Sequence, residues 1–134
     1  MLARGGGCAL ILTLLWAQAA LATDAPRFDV PSGEEIRFLD SFYQDAGDGV
    51  VTVRFRFVMP AIAGGRVPYA QVADDFLYLC AEHALPSLEG SQSPDKIIIS
   101  LADQEVPFGK IVPEATQFFE AFRIENADCI WEGF

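Results

Sequence analysis

The chain has 134 residues, 51% of them hydrophobic, and its 19 acidic residues outnumber its 9 basic residues, giving a formal net charge of −10. This charge argues against a nucleic-acid partner and against adhesion to anionic membrane surfaces. It favours a self-repelling monomer or a protein partner with a basic surface.

Residues 1–22 have the order of a bacterial-type secretory signal peptide. Arg4 supplies the positive charge, residues 8–16 form an apolar segment, and Ala20-Leu21-Ala22 is a cleavage site. The apolar run is too short for a membrane span of about 20 residues, and no later run is long enough. We therefore expect a periplasmic or secreted protein with no transmembrane segment after signal removal. Its mature part, residues 23–134, holds 8 basic and 19 acidic residues, a net charge of −11.

The mature chain is long enough to bury one core, which predicts a single domain over residues 34–134. Residues 23–33 contain Pro26, Pro31 and Gly33, which indicates an extended or mobile leader. Residues 34–43 and 50–59 are strand-like, and the second run alternates apolar side chains with Thr52, Arg54 and Arg56.

A helix is predicted over residues 69–85, where it should end at Pro86. Its apolar face would contain Cys80 and His83, and its solvated face Asp74 and Asp75. Residues 96–101 predict a central strand and residues 103–113 a loop. Residues 116–125 fit either a helix or a strand, and we favour a strand because Asn126-Ala127-Asp128 then turns it into residues 129–134, which makes a final hairpin. The predicted fold is α+β, an antiparallel-dominated sheet of chain order β-β-α-β-β-β with one helix packed on one face.

Export places the mature cysteines, Cys80 and Cys129, in an oxidising environment, so we expect them to form a disulfide. The alternatives are a redox pair, a metal site or two free thiols. No C-x-x-C motif is present, and two cysteines with one histidine fall short of four zinc ligands unless a carboxylate joins them. If Cys129 faces the helix, Trp131 does too and should be the most deeply buried residue of the hairpin, with Ile130 and Phe134 on the opposite side.

Several segments resemble a family of small, uncharacterised secreted bacterial proteins, members of which are sometimes mislabelled as acetolactate synthase. The resemblance covers most of the mature chain and is most specific over residues 114–134. It implies the fold boundaries and the export signal, and it transfers no catalytic residue. The segments that carry it are Phe57-Val58-Met59-Pro60-Ala61-Ile62, Leu79-Cys80, Ile97-Ile98-Ile99-Ser100-Leu101, Glu114-Ala115-Thr116-Gln117-Phe118-Phe119-Glu120-Ala121-Phe122 and Cys129-Ile130-Trp131-Glu132-Gly133-Phe134.

Gly47-Asp48-Gly49 matches the first half of the motif with which thiamine-diphosphate enzymes hold metal and diphosphate. The second half needs an Asn a modest distance downstream, and the single Asn of the chain, Asn126, is too distant. We therefore interpret this tripeptide as a hairpin loop and expect no cofactor. Asp103 and Glu105 lack the oxygen-rich spacing of a calcium loop, so we expect no metal either.

Three residues are candidates for ligand or partner contact. His83, the single histidine, is interpreted as a structural residue near a helix C-terminus, with a general base or metal ligand as the alternative. Arg54 and Arg56 share one face of a strand. Cross-strand pairing with Asp40 or Glu120 is the structural interpretation, and an anion site is the alternative.

No catalytic motif is present, so no catalytic residue is assigned. The sequence favours a non-catalytic periplasmic interaction or accessory module that uses either the outer sheet face, with Val58, Ile130 and Phe134, or the loop of residues 103–113. The alternative is a small periplasmic hydrolase or anionic-ligand-binding protein that uses His83 or the two arginines.

Overall fold

The structure, a computed structural model, describes residues 2–3, 5–7 and 28–133. The apolar segment and cleavage site of the predicted signal peptide lie outside the described residues, as do residues 23–27 of the predicted leader and Phe134. Within the described residues no helix has the length and apolar character needed to cross a membrane.

Five strands form one open sheet whose spatial order follows the chain. The neighbouring pairs are antiparallel except for the second and third strands, which are parallel because a helix returns the chain across the sheet between them. This mixed, mostly antiparallel sheet confirms the predicted α+β class and its β-β-α-β-β-β order. The strands are β1 (Arg37–Gln44), β2 (Thr52–Val58), β3 (Lys96–Ala102), β4 (Gln117–Glu125) and β5 (Asp128–Glu132).

The helical region begins with a 3₁₀ segment, Pro60–Gly65, and continues as a helix over residues 69–87. That helix is α-helical over Tyr69–Leu79, π-helical over Cys80–Ala84 and α-helical again over Leu85–Ser87. The prediction that it ends at Pro86 was wrong. The helix passes Pro86 and ends at Ser87, one residue beyond the proline, which has no N–H with which to continue the hydrogen-bond pattern.

The two faces of the sheet differ in what covers them. The side that we call the helix face carries Phe55, Phe57, Ile99 and Phe122, which pack with the helix in the main apolar core. The opposite side, the loop face, carries Arg54 and Arg56 of β2 and their neighbours on the adjoining strands. The β3–β4 loop (103–116) lies against the loop face through the buried Val106 and through Phe108.

A bulge in β1 decides which of its side chains reach each face. Phe38 lies opposite Phe57, but Asp40 lies opposite Arg56, so β1 advances two residues while β2 advances one. Phe38 therefore contacts Phe57 on the helix face, with ring centroids 5.6 Å apart, whereas Asp40 lies on the loop face. The bulge thus brings an acidic side chain beside an arginine.

Residues 28–33, the described part of the predicted mobile leader, pack against the helix side of the domain. Val30 is 4% exposed and belongs to the core, and the ring of Phe28 contacts that of Phe57. The backbone N–H and the hydroxyl of Ser32 both donate to the carboxylate of Asp75. These bonds also explain why Asp75, which was predicted to face solvent, is fully buried.

Cys80 and Cys129 form a disulfide that ties the π-helical turn to β5, as predicted. Such a bond is typical of extracellular proteins. Trp131 shares the helix face with Cys129, but the prediction of its deep burial was wrong, because β5 is an edge strand and Trp131 is 61% exposed. Phe122, its neighbour on β4, is 1% exposed and occupies the deep position instead.

Candidate functional site

Arg54 and Arg56 lie side by side on the loop face because residues two apart in a strand point to the same side. Both side chains are partly buried beneath the β3–β4 loop. Their partners differ, although their positions in the strand are equivalent. This difference defines the candidate site.

Arg56 has a complete set of partners. Its Nε donates to Asp40 Oδ1 at 2.6 Å and its Nη2 donates to the second carboxylate oxygen, so the ion pair is bidentate. Its Nη1 donates to the carbonyl of Val106 at 2.6 Å, which anchors the β3–β4 loop. Hydrogen bonding to Arg56 holds the pKa of Asp40 below its usual value, and the same bond raises the pKa of Arg56. The cross-strand pairing predicted for this arginine is therefore present.

Arg54 is held by neutral groups. Its Nε donates to the side-chain oxygen of Gln44 at 3.0 Å and its Nη1 donates to the hydroxyl of Ser100 at 2.7 Å. The Phe108 ring lies 5.5 Å from its guanidinium carbon. Among the described residues no carboxylate forms an ion pair with Arg54. Burial lowers the pKa of Arg54, and the positive charge of Arg56 lowers it further.

A cavity of about 190 Å³ lies between the loop face and the β3–β4 loop. Arg54 and Ser100 line it from the sheet, and Phe108 and Lys110 line it from the loop. The cavity therefore combines a positive charge, a hydroxyl group and an aromatic ring, the mixture of apolar wall and few polar groups that ligand sites use. Its other lining residues are Leu39, Arg56, Phe57, Leu101, Ala102, Val106, Pro107, Gly109, Gln117, Phe118 and Phe119.

Glu120 was a predicted partner for the two arginines, but it lies on the helix face, where it is 8% exposed. Its Oε1 accepts a hydrogen bond from the Tyr69 hydroxyl at 2.5 Å, and its Oε2 accepts one from the Trp131 indole N–H at 2.7 Å. Hydrogen bonding to Glu120 raises the pKa of Tyr69 to about 12. Sequence reasoning missed this cluster, although the alternation of Phe118, Glu120 and Phe122 places all three on one face.

His83 lies in the π-helical turn on the helix side and is partly buried. Its ring lies edge-on to that of Phe28, with centroids 4.4 Å apart. Its Nε2 is buried without a hydrogen-bond partner in the described part of the chain. Burial lowers its pKa, against a smaller raising effect of Glu82. The sheet separates His83 from the arginines, so the structure does not bring the three predicted contact residues together.

An apolar groove of about 360 Å³ borders His83, with Phe28, Phe38, Phe55 and Phe57 among its walls. No hydrogen bond in the described residues joins the imidazole to a carboxylate or a hydroxyl group, so the geometry shows no charge relay. A role for His83 in catalysis or metal binding stays a prediction without geometric support.

The remaining sequence candidates have structural partners. Asp103 accepts a hydrogen bond from the Thr116 backbone N–H at 2.7 Å, and Glu105 pairs with Arg37 at 2.9 Å. Asp48 accepts from the Val50 backbone N–H at 2.9 Å within the β1–β2 loop. Gly47 and Gly49 adopt positive φ there, as a tight loop requires. In residues 28–133 and the short described N-terminal pieces, no group of three or more His, Cys, Asp or Glu residues could hold a metal ion.

One residue of the surfaces proposed for partner contact, Val58, differs from expectation. Val58 lies on the loop face but is 2% exposed, so it cannot contribute to a contact surface. Ile130 lies on the same face and is 37% exposed. The β3–β4 loop also exposes apolar side chains, with Phe108 53% and Ile111 93% exposed.

Comparison with known proteins supplies a family and no activity. No curated protein and no solved structure shows significant similarity to the chain. A family model matches residues 11–134, which is most of the chain. The chain therefore belongs to DUF6497, a family of unknown function.

Proposed function

We propose that this chain is a non-catalytic binding module of an exported protein, and that the β3–β4 loop and the adjoining loop face form its contact surface. The sequence supports export through the order of residues 1–22. The Cys80–Cys129 disulfide fits the oxidising conditions of a periplasmic or extracellular location.

One observation carries the assignment of the contact surface. The base of the β3–β4 loop is fixed, because Val106 is buried and its carbonyl accepts from Arg56, and because the backbone N–H of Thr116 donates to Asp103. The tip nevertheless exposes Phe108 and Ile111. Apolar side chains presented by a fixed loop lose little conformational entropy when a partner covers them. A binding role accounts for both features.

The arrangement of candidate catalytic groups favours binding over hydrolysis. His83 and the arginine pair lie on opposite faces of one sheet, so they cannot act on the same bond of a substrate. Arg56 is occupied by Asp40, and His83 has no hydrogen-bonded carboxylate to orient it in the described residues. A charged pocket under an apolar loop is a feature of recognition sites.

A capture experiment tests this function. The exported protein, purified in its processed form, would be immobilised and exposed to the periplasmic and secreted fractions of its own cells. We expect a stoichiometric partner that the variant Phe108→Ser/Ile111→Ser no longer captures. Leu77→Ser provides the matched control, because Leu77 is a 48% exposed apolar residue on the helix. Equal capture by the loop variant and the unaltered protein would contradict the proposed surface.

A further inference from the structure

We propose that the cavity beneath the β3–β4 loop is a carboxylate-binding subsite in which Arg54 supplies the charge and Ser100 a second hydrogen bond. This inference rests on the proposed binding function, because it gives the chemical class of ligand that the same surface receives. Within the described residues, the evidence is the unequal charge balance of two neighbouring arginines at the wall of one cavity.

The charge balance favours a monoanion. Arg56 is neutralised by Asp40, whereas Arg54 is held by the uncharged side chains of Gln44 and Ser100. A partly buried guanidinium loses hydration that neutral acceptors replace only in part. One negative charge would balance Arg54. Lys110 also lines the cavity, but it is exposed on the loop, where water screens its charge, so a second negative charge on the ligand would be balanced only weakly.

The hydrogen-bonding capacity of the site fits a carboxylate. An arginine has about five N–H donors in a planar fork, and the contacts of Arg54 in the described residues use Nε and one N–H of Nη1. Its Nη2 therefore remains to donate to a carboxylate oxygen. The Ser100 hydroxyl accepts from Arg54, which leaves its hydrogen to donate to the second oxygen.

The walls of the cavity indicate what accompanies the carboxylate. Phe108 of the loop and Phe119 on the loop face of β4 line the cavity, together with the aliphatic side chain of Val106. A volume of about 190 Å³ admits a carboxylate with a short apolar or aromatic group, not a large polar ligand. Both a small organic acid and the free C-terminus of a protein partner provide this chemistry.

Calorimetric titration of the full exported protein with 3-phenylpropionate tests the subsite, and the neutral 3-phenylpropionamide is the matched probe. We expect the acid to bind roughly tenfold or more tightly than the amide, as for a hydrogen-bonded charge. The variant Arg54→Gln should lose that preference. Arg123→Gln should keep it, because Arg123 is an exposed arginine on the same face that pairs with Glu125.

The proposed subsite would be contradicted if the unaltered protein bound the acid and the amide with equal affinity, or bound neither. This test does not depend on the folding of any variant. Retention of the preference by Arg54→Gln would also overturn the subsite. A second arm compares a peptide that ends in phenylalanine as a free acid with its C-terminal amide. Preference for that peptide acid over 3-phenylpropionate would identify a protein C-terminus as the source, and the reverse order would identify a small acid.

The outcomes separate this inference from the proposed function. If the Phe108→Ser/Ile111→Ser variant loses partner capture and the unaltered protein shows no carboxylate preference, the proposed contact surface is supported and the proposed subsite is contradicted. If the unaltered protein prefers the carboxylate and the loop variant captures the partner as before, the proposed subsite is supported and the proposed contact surface is contradicted.

Discussion

Buried charged groups on the two sides of the sheet differ in how completely they are hydrogen-bonded. On the helix side Glu120 of β4 and Asp75 of the helix are buried, and each of their four carboxylate oxygens accepts a hydrogen bond from Tyr69, Trp131 or Ser32. On the loop face Arg54 is partly buried beside a cavity and retains unused donors among the described contacts. The buried carboxylates on the helix side are saturated with hydrogen bonds, whereas Arg54 is not, and this difference is the basis for proposing the loop face as the binding side.

The largest difference between the faces should appear when a large side chain is truncated. Phe122→Ala should lower the free energy of unfolding by about 3–5 kcal/mol, because it leaves a cavity in the core. Phe119→Ala, at a 54% exposed position on the other face of the same strand, should cost less than about 1 kcal/mol. Urea unfolding measures both values. Equal losses would show that the two faces contribute equally to stability.

The disulfide should account for the next largest effect, since it links the helix to the edge strand on the helix face. The double variant Cys80→Ala/Cys129→Ala should be less stable by roughly 2–4 kcal/mol. Reducing agent should lower the stability of the unaltered protein and leave that of the double variant unchanged. The double variant would contradict this expectation if it unfolded at the urea concentration of the oxidised protein.

Removal of a hydrogen bond from Glu120 tests whether the helix face depends on its buried polar cluster. Glu120→Gln replaces one acceptor oxygen with an NH₂ group that faces a donor, Tyr69 or Trp131. The unsatisfied donor should cost about 1–3 kcal/mol of unfolding free energy. Trp131 fluorescence would report the local change, and its emission should shift in Glu120→Gln but not in Arg54→Gln. The same shift in both variants would contradict the separation of the two faces.

The strands and the helix could be predicted from the sequence more accurately than the burial of individual side chains. The alternation of Val53, Phe55 and Phe57 correctly indicated a strand with one buried face. The predicted burial of Trp131 was wrong, because the alternation of side chains shows which side of the sheet a residue faces but not whether its strand lies at the sheet edge. The predicted solvent exposure of Asp75 was wrong because its hydrogen-bond partner, Ser32, is 43 residues away in the chain and no local pattern indicates the contact.

The candidate site was only partly predictable for a related reason. The pair of arginines was identified from its spacing, and Asp40 was one of two carboxylates named as partners. Which arginine Asp40 binds depends on the β1 bulge and the resulting register. The cavity depends on how the β3–β4 loop folds over the sheet, which no periodicity in residues 103–116 indicates. Long-range contacts, and not local propensity, decided these features.

Alkaline titration gives a smaller effect that is specific to the helix face. Hydrogen bonding raises the pKa of Tyr69 from about 10 in the unfolded chain to about 12 in the folded protein. The neutral phenol is therefore favoured by folding, and this contribution is present below pH 10 and is lost as the pH rises from about 10 to about 12. The stability difference between the unaltered protein and Tyr69→Phe should shrink over that range. A difference that does not change with pH would contradict the hydrogen bond to Glu120.

The smallest expected effect lies in the β4–β5 turn, which belongs to neither face. Asn126 and Ala127 have φ values of 49° and 62°, a backbone conformation that glycine adopts at lower cost than alanine. Ala127→Gly should therefore raise the free energy of unfolding by about 0.5–1 kcal/mol. Its effect should add to that of Phe122→Ala in thermal unfolding. Destabilisation by Ala127→Gly would show that the turn has a different conformation.

Nuclear magnetic resonance mapping with ¹⁵N-labelled protein tests the division between the faces most directly. Titration with 3-phenylpropionate should shift the backbone signals of Arg54, Ser100 and residues 106–110, where the cavity lies. The signals of Phe76, Cys80 and His83 on the helix side should remain unchanged. If the largest shifts instead surrounded His83 and its apolar groove, the binding surface would lie on the helix face and the account would be contradicted.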